Sequence, residues 1–129
     1  MTSWMNVEAR IRSSLKAALG PTVGVGVDTP DVLEGIHFVR LSLAPGGSDD
    51  SLTDTAILDV EYLAPTKQAA SEGAEQVRSI MLALGGTDTT TGRQLIDSVA
   101  TRTRPYWVDY RNSKVHRYVG TYAITSRLR

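Results

Sequence analysis

The segment from Gly46 to Leu84 constrains the fold most, because a strand pattern passes into a helix pattern across one short turn. Apolar and polar side chains alternate over residues 55–63, which predicts a half-buried strand. From about Thr66, apolar residues recur at helical spacing, which predicts an amphipathic helix that ends before Gly85. A strand and a helix joined this closely predict a small α+β fold with the helix packed on a sheet.

The strand predicted at residues 55–63 has one apolar face and one partly acidic face. The apolar face contains Leu58, Val60 and Tyr62. Asp59 and Glu61 lie on the other face, since side chains alternate along a strand. Paired carboxylates are compatible with acid–base or nuclease chemistry, but the chain shows no nucleophile–base constellation and Lys67 lies beyond a turn. A solvated or channel-lining face is the preferred interpretation, and no enzyme activity is predicted.

The other elements are one more helix, several strands and a polar loop. The first helix is predicted from about Ser3 to Leu19, and Gly20 followed by Pro21 ends it. Further strands are predicted at residues 23–27, 36–43, 95–103 and 115–125. A polar loop is expected over residues 45–54. Pro105 is expected to break the strand ladder, because proline cannot donate a backbone hydrogen bond.

Two features that resemble ligand sites are interpreted as structural. The glycines of the Val-Gly-Val-Gly-Val run at residues 23–27 follow a helix, whereas a phosphate loop follows a strand and precedes a helix. His37 has no partner at metal-ligand spacing and is predicted to be a hydrogen-bonded edge residue near the start of its strand. No metal and no cofactor are predicted.

Composition predicts one domain over residues 1–129, made in the cytoplasm. The chain has no cysteine, so disulfides and thiolate sites are excluded. The first residues lack the sections of a signal peptide. No apolar run approaches the roughly 20 residues that span a bilayer, so no membrane partner is expected.

Charge is unevenly distributed, although the net charge is zero. Residues 1–101 contain 7 basic and 13 acidic residues, whereas residues 102–129 contain 7 basic residues and Asp109 as the single acid. Such segregation favours complementary surfaces, either within the fold or between subunits. The alternative is a basic nucleic-acid-binding hairpin whose aromatic residues stack on bases. These aromatic residues are Tyr106, Trp107, Tyr110, Tyr118 and Tyr122.

Two segments, SDDSLTDTAILDVEYLAPTKQAASEGAEQVRSIMLAL and RPYWVDYRNSKVHRYVGTYAITSR, resemble the tail terminator (tail completion) proteins of long-tailed bacteriophages, particularly those of actinobacterial phages. The resemblance covers the last two-thirds of the chain, and the first third agrees in layout. It implies an antiparallel sheet flanked by helices, without a cofactor or a reaction. It also implies a hexameric ring on the head-proximal end of the tail tube, which ends tube polymerisation, contacts the head connector and lets DNA pass through its lumen.

A ring needs head-to-tail contacts between two different patches of each chain. The basic contact candidates are Arg102, Arg104, Arg111, Lys114 and Arg117. Their acidic partners would include Asp49, Asp50 and Asp54. The resemblance also suggests that Asp59 and Glu61 face the lumen, where negative charge repels DNA phosphates. Another neck ring of the same particle, such as a head-closure or adaptor ring, is the nearest alternative.

Overall fold

The computed structural model describes residues 6–31, 33–49, 53–88 and 94–128, which form an α+β fold. In chain order the elements are α1 (Val7–Leu19), β1 (Val23–Gly26), β2 (His37–Leu43), β3 (Ser48–Asp49), β4 (Thr53–Ala64), α2 (Lys67–Leu82), β5 (Thr87–Asp88), β6 (Gln94–Val108) and β7 (His116–Leu128). Both helices pack on the sheet, as the fold prediction requires. The predicted start of α1 at Ser3 lies outside the described residues.

The seven described strands form one sheet with the order β1-β2-β4-β7-β6-β5, and β3 pairs with β4 beside β2. β1 runs parallel to β2, and the other strand pairs among the described residues are antiparallel. β4 and β7 occupy the centre and pair along their length, from Thr53 opposite Arg127 to Ala64 opposite His116. The prediction of a mainly antiparallel sheet flanked by two amphipathic helices is confirmed.

One core lies between the two helices and one face of the sheet. The helices contribute Val7, Ile11, Leu15, Ala70, Ala74, Val77 and Met81. The strands contribute Val39, Leu41, Leu58, Val60, Tyr62, Ala64, Ile96, Tyr122 and Ile124. The helical periodicity therefore identified the buried stripes correctly, except that Ala18 is exposed and that α2 ends at Leu82, before the predicted Leu84.

Close packing of α2 on the sheet depends on Gly73. Thr66 caps the helix, because its side chain accepts a hydrogen bond of 3.1 Å from the backbone N–H of Ala69. One turn further on, the buried Gly73 lies against the ring of Tyr62, and a Cβ at this position would come closer than 3.0 Å to that ring. The hydroxyl of Tyr62 is 2.8 Å from Nδ1 of His37, which confirms the hydrogen bond predicted for His37. The residue does not lie on an edge strand, because β2 lies between β1 and β4.

Two predictions were only partly correct. The ladder between β6 and β7 is interrupted at Pro105, where the register shifts between Thr103 and Tyr106, but the strand does not end there and pairing resumes at Tyr106. A proline is tolerated there because, among the described residues, β6 pairs with β5 only at its beginning, which leaves an edge where no donor is needed. The predicted polar loop at residues 45–54 contains β3, because Gly47, at φ +97°, turns the chain back against β4.

The glycines of β1 make room for an aromatic ring. A Cβ at Gly24 would lie 2.6 Å from Cδ2 of Phe38 on the neighbouring strand, and one at Gly26 would lie 3.4 Å from Cζ. The two glycines therefore have a packing role, in agreement with the structural interpretation of this run. In the described part of the chain, neither helix has the length and apolar character that crossing a membrane requires.

Candidate interaction surfaces

The face of the sheet opposite the core presents polar side chains along its central strands, and we call it the outer face. It includes Arg40, Ser42, Asp59, Glu61, Arg117 and Thr121, which alternate with core residues along β2, β4 and β7. The ladder places Arg40 opposite Glu61 and Ser42 opposite Asp59. The alternation predicted for residues 55–63 is therefore correct, and both carboxylates lie away from the core.

Glu61 holds two arginines on the outer face. Its Oε2 accepts a hydrogen bond of 2.8 Å from Nη1 of Arg40, and its Oε1 accepts one of 3.0 Å from Nη1 of Arg117. The Glu61 side chain is only 12% exposed, against 37% for Arg40 and 23% for Arg117. Nη2 of Arg117 also donates a hydrogen bond of 2.6 Å to the backbone carbonyl of Asp109. The arrangement ties the three central strands to the β6–β7 turn.

An open groove surrounds this cluster, and we call it the arginine groove. It has a volume of about 370 Å³ and is lined by Thr29, Arg40, Glu61, Leu63, Tyr110, Arg111 and Arg117. The guanidinium carbons of Arg111 and Arg117 lie 5.7 Å and 5.1 Å from the ring centroid of Tyr110, within cation–π range. Three guanidinium groups and one carboxylate give the groove an excess of positive charge, so it favours a negatively charged ligand or partner.

Two aspartates face each other at the opposite end of β4, and we call Ser48, Asp49 and Asp54 the acidic turn. The ladder between β3 and β4 pairs Asp49 directly with Asp54. Like charges in this position are destabilising. Burial, and secondly the Asp49 carboxylate, raise the pKa of Asp54 above its ordinary value of 3.8. Asp50, the third predicted acidic contact, lies outside the described residues.

Replacing Asp54 by asparagine is expected to increase the free energy of unfolding at neutral pH by about 0.5 kcal/mol or less. Because the pKa of Asp54 is raised in the folded state, the folded wild-type chain takes up this proton before the unfolded chain does as the pH falls. Wild type thereby recovers stability, so the advantage of Asp54→Asn should disappear below about pH 4. Denaturant titrations at both pH values, with Asp28→Asn as an exposed control, measure this difference. An advantage that does not change with pH would contradict the explanation.

The predicted basic contact residues fall into two groups. Lys114 and Arg117 already have acidic partners, since Nζ of Lys114 is 3.6 Å from Glu34 and Arg117 binds Glu61. The other three are exposed and form no ion pair among the described residues. They are Arg102, Arg104 and Arg111. The charge segregation is thus partly satisfied within the fold, and these three arginines are available for a partner.

The second carboxylate of the outer face also has an internal partner. Oδ1 of Asp59 accepts a hydrogen bond of 2.7 Å from the hydroxyl of Thr121 on β7. Since two arginines compensate Glu61, this face carries less net negative charge than its two carboxylates suggest. Exposure of Asp59 and Glu61 to a ring lumen stays a prediction. Within residues 6–31, 33–49, 53–88 and 94–128, no three acidic or histidine side chains are grouped so that they could hold a metal ion.

The arginine groove was not foreseen from the sequence. Arg111 and Arg117 were predicted as contact residues, but Arg40 was not, because its distance from them along the chain hides their proximity. A usable signal was the polar pair Arg40 and Ser42, whose spacing matches that of Asp59 and Glu61 on the neighbouring strand. Opposite charges on paired strands favour one register.

Family models of known protein domains do not match this sequence, and neither do curated proteins. The fold is similar to that of a chain in the virion of a native gene transfer agent (GTA) particle, with a TM-score of 0.66. That match covers 94% of this chain and 94% of the other, at 17% sequence identity. A second solved structure matches 95% of this chain and 89% of its own, also at 17% identity, with a TM-score of 0.42 that supports no further argument.

Proposed function

We propose that this chain is a structural protein of a phage-like virion and acts there as a tail terminator. Its copies form a hexameric ring on the head-proximal end of the tail tube. The ring ends polymerisation of the tail tube protein and joins the tail to the head-closure or connector protein. DNA passes through the lumen without specific binding, and no membrane, cofactor or reaction takes part. The protein is made in the host cytoplasm and belongs to the tail or neck region of the virion.

The observation that carries this proposal is the likeness of fold to a chain of a GTA virion over 94% of both chains. The surface supports it independently, because a head-to-tail ring needs two different complementary patches on each chain. The arginine groove and the acidic turn lie at opposite ends of β4 and have opposite charge. The resemblance of the β4–α2 and β6–β7 segments to tail terminators points to the same role.

An assembly experiment with purified tail tube protein of the same particle tests the proposal. We expect the protein to bind one end of each tube, to stop its growth, and to have the mass of six chains in solution or on the tube. Electron microscopy measures tube length, and light scattering at two salt concentrations measures mass. A variant with both Arg102 and Arg104 changed to glutamate should form a weaker ring whose mass depends more on salt. A protein that leaves tube length unchanged and never exceeds one chain in mass would refute the proposal.

A specific observation keeps a nucleic-acid-binding module as the second candidate. Tyr106 is 52% exposed on the same long strand that carries the exposed Arg102 and Arg104. Exposed aromatic and basic side chains together can bind single strands by stacking and charge. Retention of DNA with an affinity that falls steeply with salt, without an effect on tubes, would favour this candidate. A head-closure or adaptor ring would instead bind the connector and leave tube growth unaffected.

A further inference from the structure

We propose that the arginine groove is the socket for the acidic turn of a neighbouring copy of this chain. The proposal rests on the ring of the proposed function and specifies the contact that builds it. The socket is formed by Arg40, Arg111, Arg117 and Tyr110 around Glu61. The occupant is the acidic turn, with Asp49 on β3 and Asp54 opposite it on β4.

The groove has binding capacity left after its internal contacts are made. Glu61 receives one Nη of Arg40 and one Nη of Arg117, so Arg40 keeps further N–H groups for a second carboxylate. Arg111 is exposed, lies near the ring of Tyr110 and forms no ion pair among the described residues. A guanidinium group that lies over an aromatic ring keeps N–H groups with which it can bind a carboxylate.

The acidic turn has a charge arrangement that a cationic partner would relieve. Asp49 and Asp54 are paired across the ladder, and the described residues give neither of them an ion pair. In a single chain, the repulsion between these two carboxylates is therefore not compensated by an ion pair among the described residues. Contact with guanidinium groups would turn this repulsion into attraction, so the turn gains more from a basic partner than an isolated aspartate would.

The two patches cannot meet within one chain. Asp54 and Glu61 lie seven residues apart on the continuous strand β4, which corresponds to about 23 Å along a rigid element. Because the arginine groove and the acidic turn of one chain are held this far apart, they can bind each other only between two copies. Each copy then uses one patch on each neighbour, which is a head-to-tail contact and gives a closed ring when the rotation between neighbours closes.

Disulfide trapping tests this contact directly, because the chain contains no cysteine of its own. One variant carries Thr29→Cys in the groove wall, and the other carries Ser48→Cys beside Asp49. We expect mild oxidation of the mixture to give a disulfide-linked pair in much higher yield than either variant gives alone. Ser79→Cys, on the exposed side of α2, replaces Ser48→Cys as the matched control and should give no pair above background.

Charge reversal then distinguishes specific docking from random collision. Adding Arg111→Glu to the Thr29→Cys chain should lower the yield of the linked pair at least about tenfold. Adding Asp49→Lys to the Ser48→Cys chain should restore the yield of the linked pair, because the new lysine can then pair with the glutamate that replaces Arg111. The wild-type mass and the tube experiment are measured on the same preparations.

Each failure has a distinct meaning. If wild type forms rings and caps tubes but the linked pair does not form, the proposed function is supported and the proposed contact between groove and acidic turn is wrong. If wild type neither forms rings nor affects tubes and no pair forms, both proposals fail. If no pair forms while an oligonucleotide binds wild type and Arg111→Glu abolishes that binding, the groove is a nucleic-acid contact and the inference is overturned.

Discussion

Replacement of Gly73 by valine is expected to lower the free energy of unfolding by about 3 kcal/mol. Even the first added atom, Cβ, would overlap the ring of Tyr62, which is 3% exposed and packed in the core. Either the ring or α2 must move, and a displaced ring also loses its hydrogen bond to His37. Since small domains are stable by only about 5–15 kcal/mol, denaturant titration will resolve a loss of this size.

The matched control is Gln76→Val on the exposed side of the same helix. A β-branched residue costs about 0.5 kcal/mol in a helix through propensity alone, so a similar loss at both positions would contradict the packing argument. Gly73→Ala adds a second check, because alanine is favoured over glycine in helices by about 1 kcal/mol. We expect Gly73→Ala to lower the free energy of unfolding of wild type. The loss should be smaller in a Tyr62→Leu background, which has no ring at this position.

Replacement of Glu61 by glutamine is expected to lower the free energy of unfolding by about 2 kcal/mol. The carboxylate is largely buried and is the shared ion-pair partner of Arg40 and Arg117, so its loss leaves two guanidinium groups close together. Breaking a fully buried pair costs about 3–5 kcal/mol, and an exposed pair contributes about 0–1 kcal/mol. The partly exposed arginines place this cluster between these limits. High salt should reduce the loss, because it screens the repulsion between the arginines.

Glu75→Gln is the control for this substitution. Glu75 is 51% exposed and makes one ion pair with Arg78, at 3.5 Å, one helical turn away. Its replacement should cost about 0.5 kcal/mol or less. Equal losses at positions 61 and 75 would show that the central cluster adds nothing beyond an ordinary surface pair. Any effect of the Glu61 substitution on the proposed ring must be corrected for this loss of stability.

The elements with strong periodicity were predictable from the sequence. Val77 and Met81 marked the buried side of α2, and the alternation around Leu58 placed β4, because burial of one face imposes these periods directly. Local composition misled at β3 and at Pro105. Glycines and aspartates favour loops unless a neighbouring strand offers hydrogen bonds, and an edge strand tolerates a proline that a central strand excludes.

The candidate sites were predictable only in part. Alternation placed Asp59 and Glu61 on the same face, and charge segregation drew attention to Arg111 and Arg117. It did not reveal that Arg40 and Arg117 meet at one carboxylate, since that contact depends on the register of two strand pairs. Register is a property of the assembled sheet, and one strand alone does not specify its neighbours.

The central pairing of β4 with β7 joins two strands that the ribosome makes at different times. The hydroxyls of Thr55 and Thr125 lie 3.3 Å apart although 70 residues separate them in sequence. At about 5–20 residues per second, a ribosome needs roughly 3 to 12 s to make β7 after completing β4. During this interval one long edge of β4 has no partner strand, and the apolar residues on its core side are not covered by β7. An unpaired strand edge beside exposed apolar side chains is prone to aggregation, so β4 is exposed to this risk until β7 has been made.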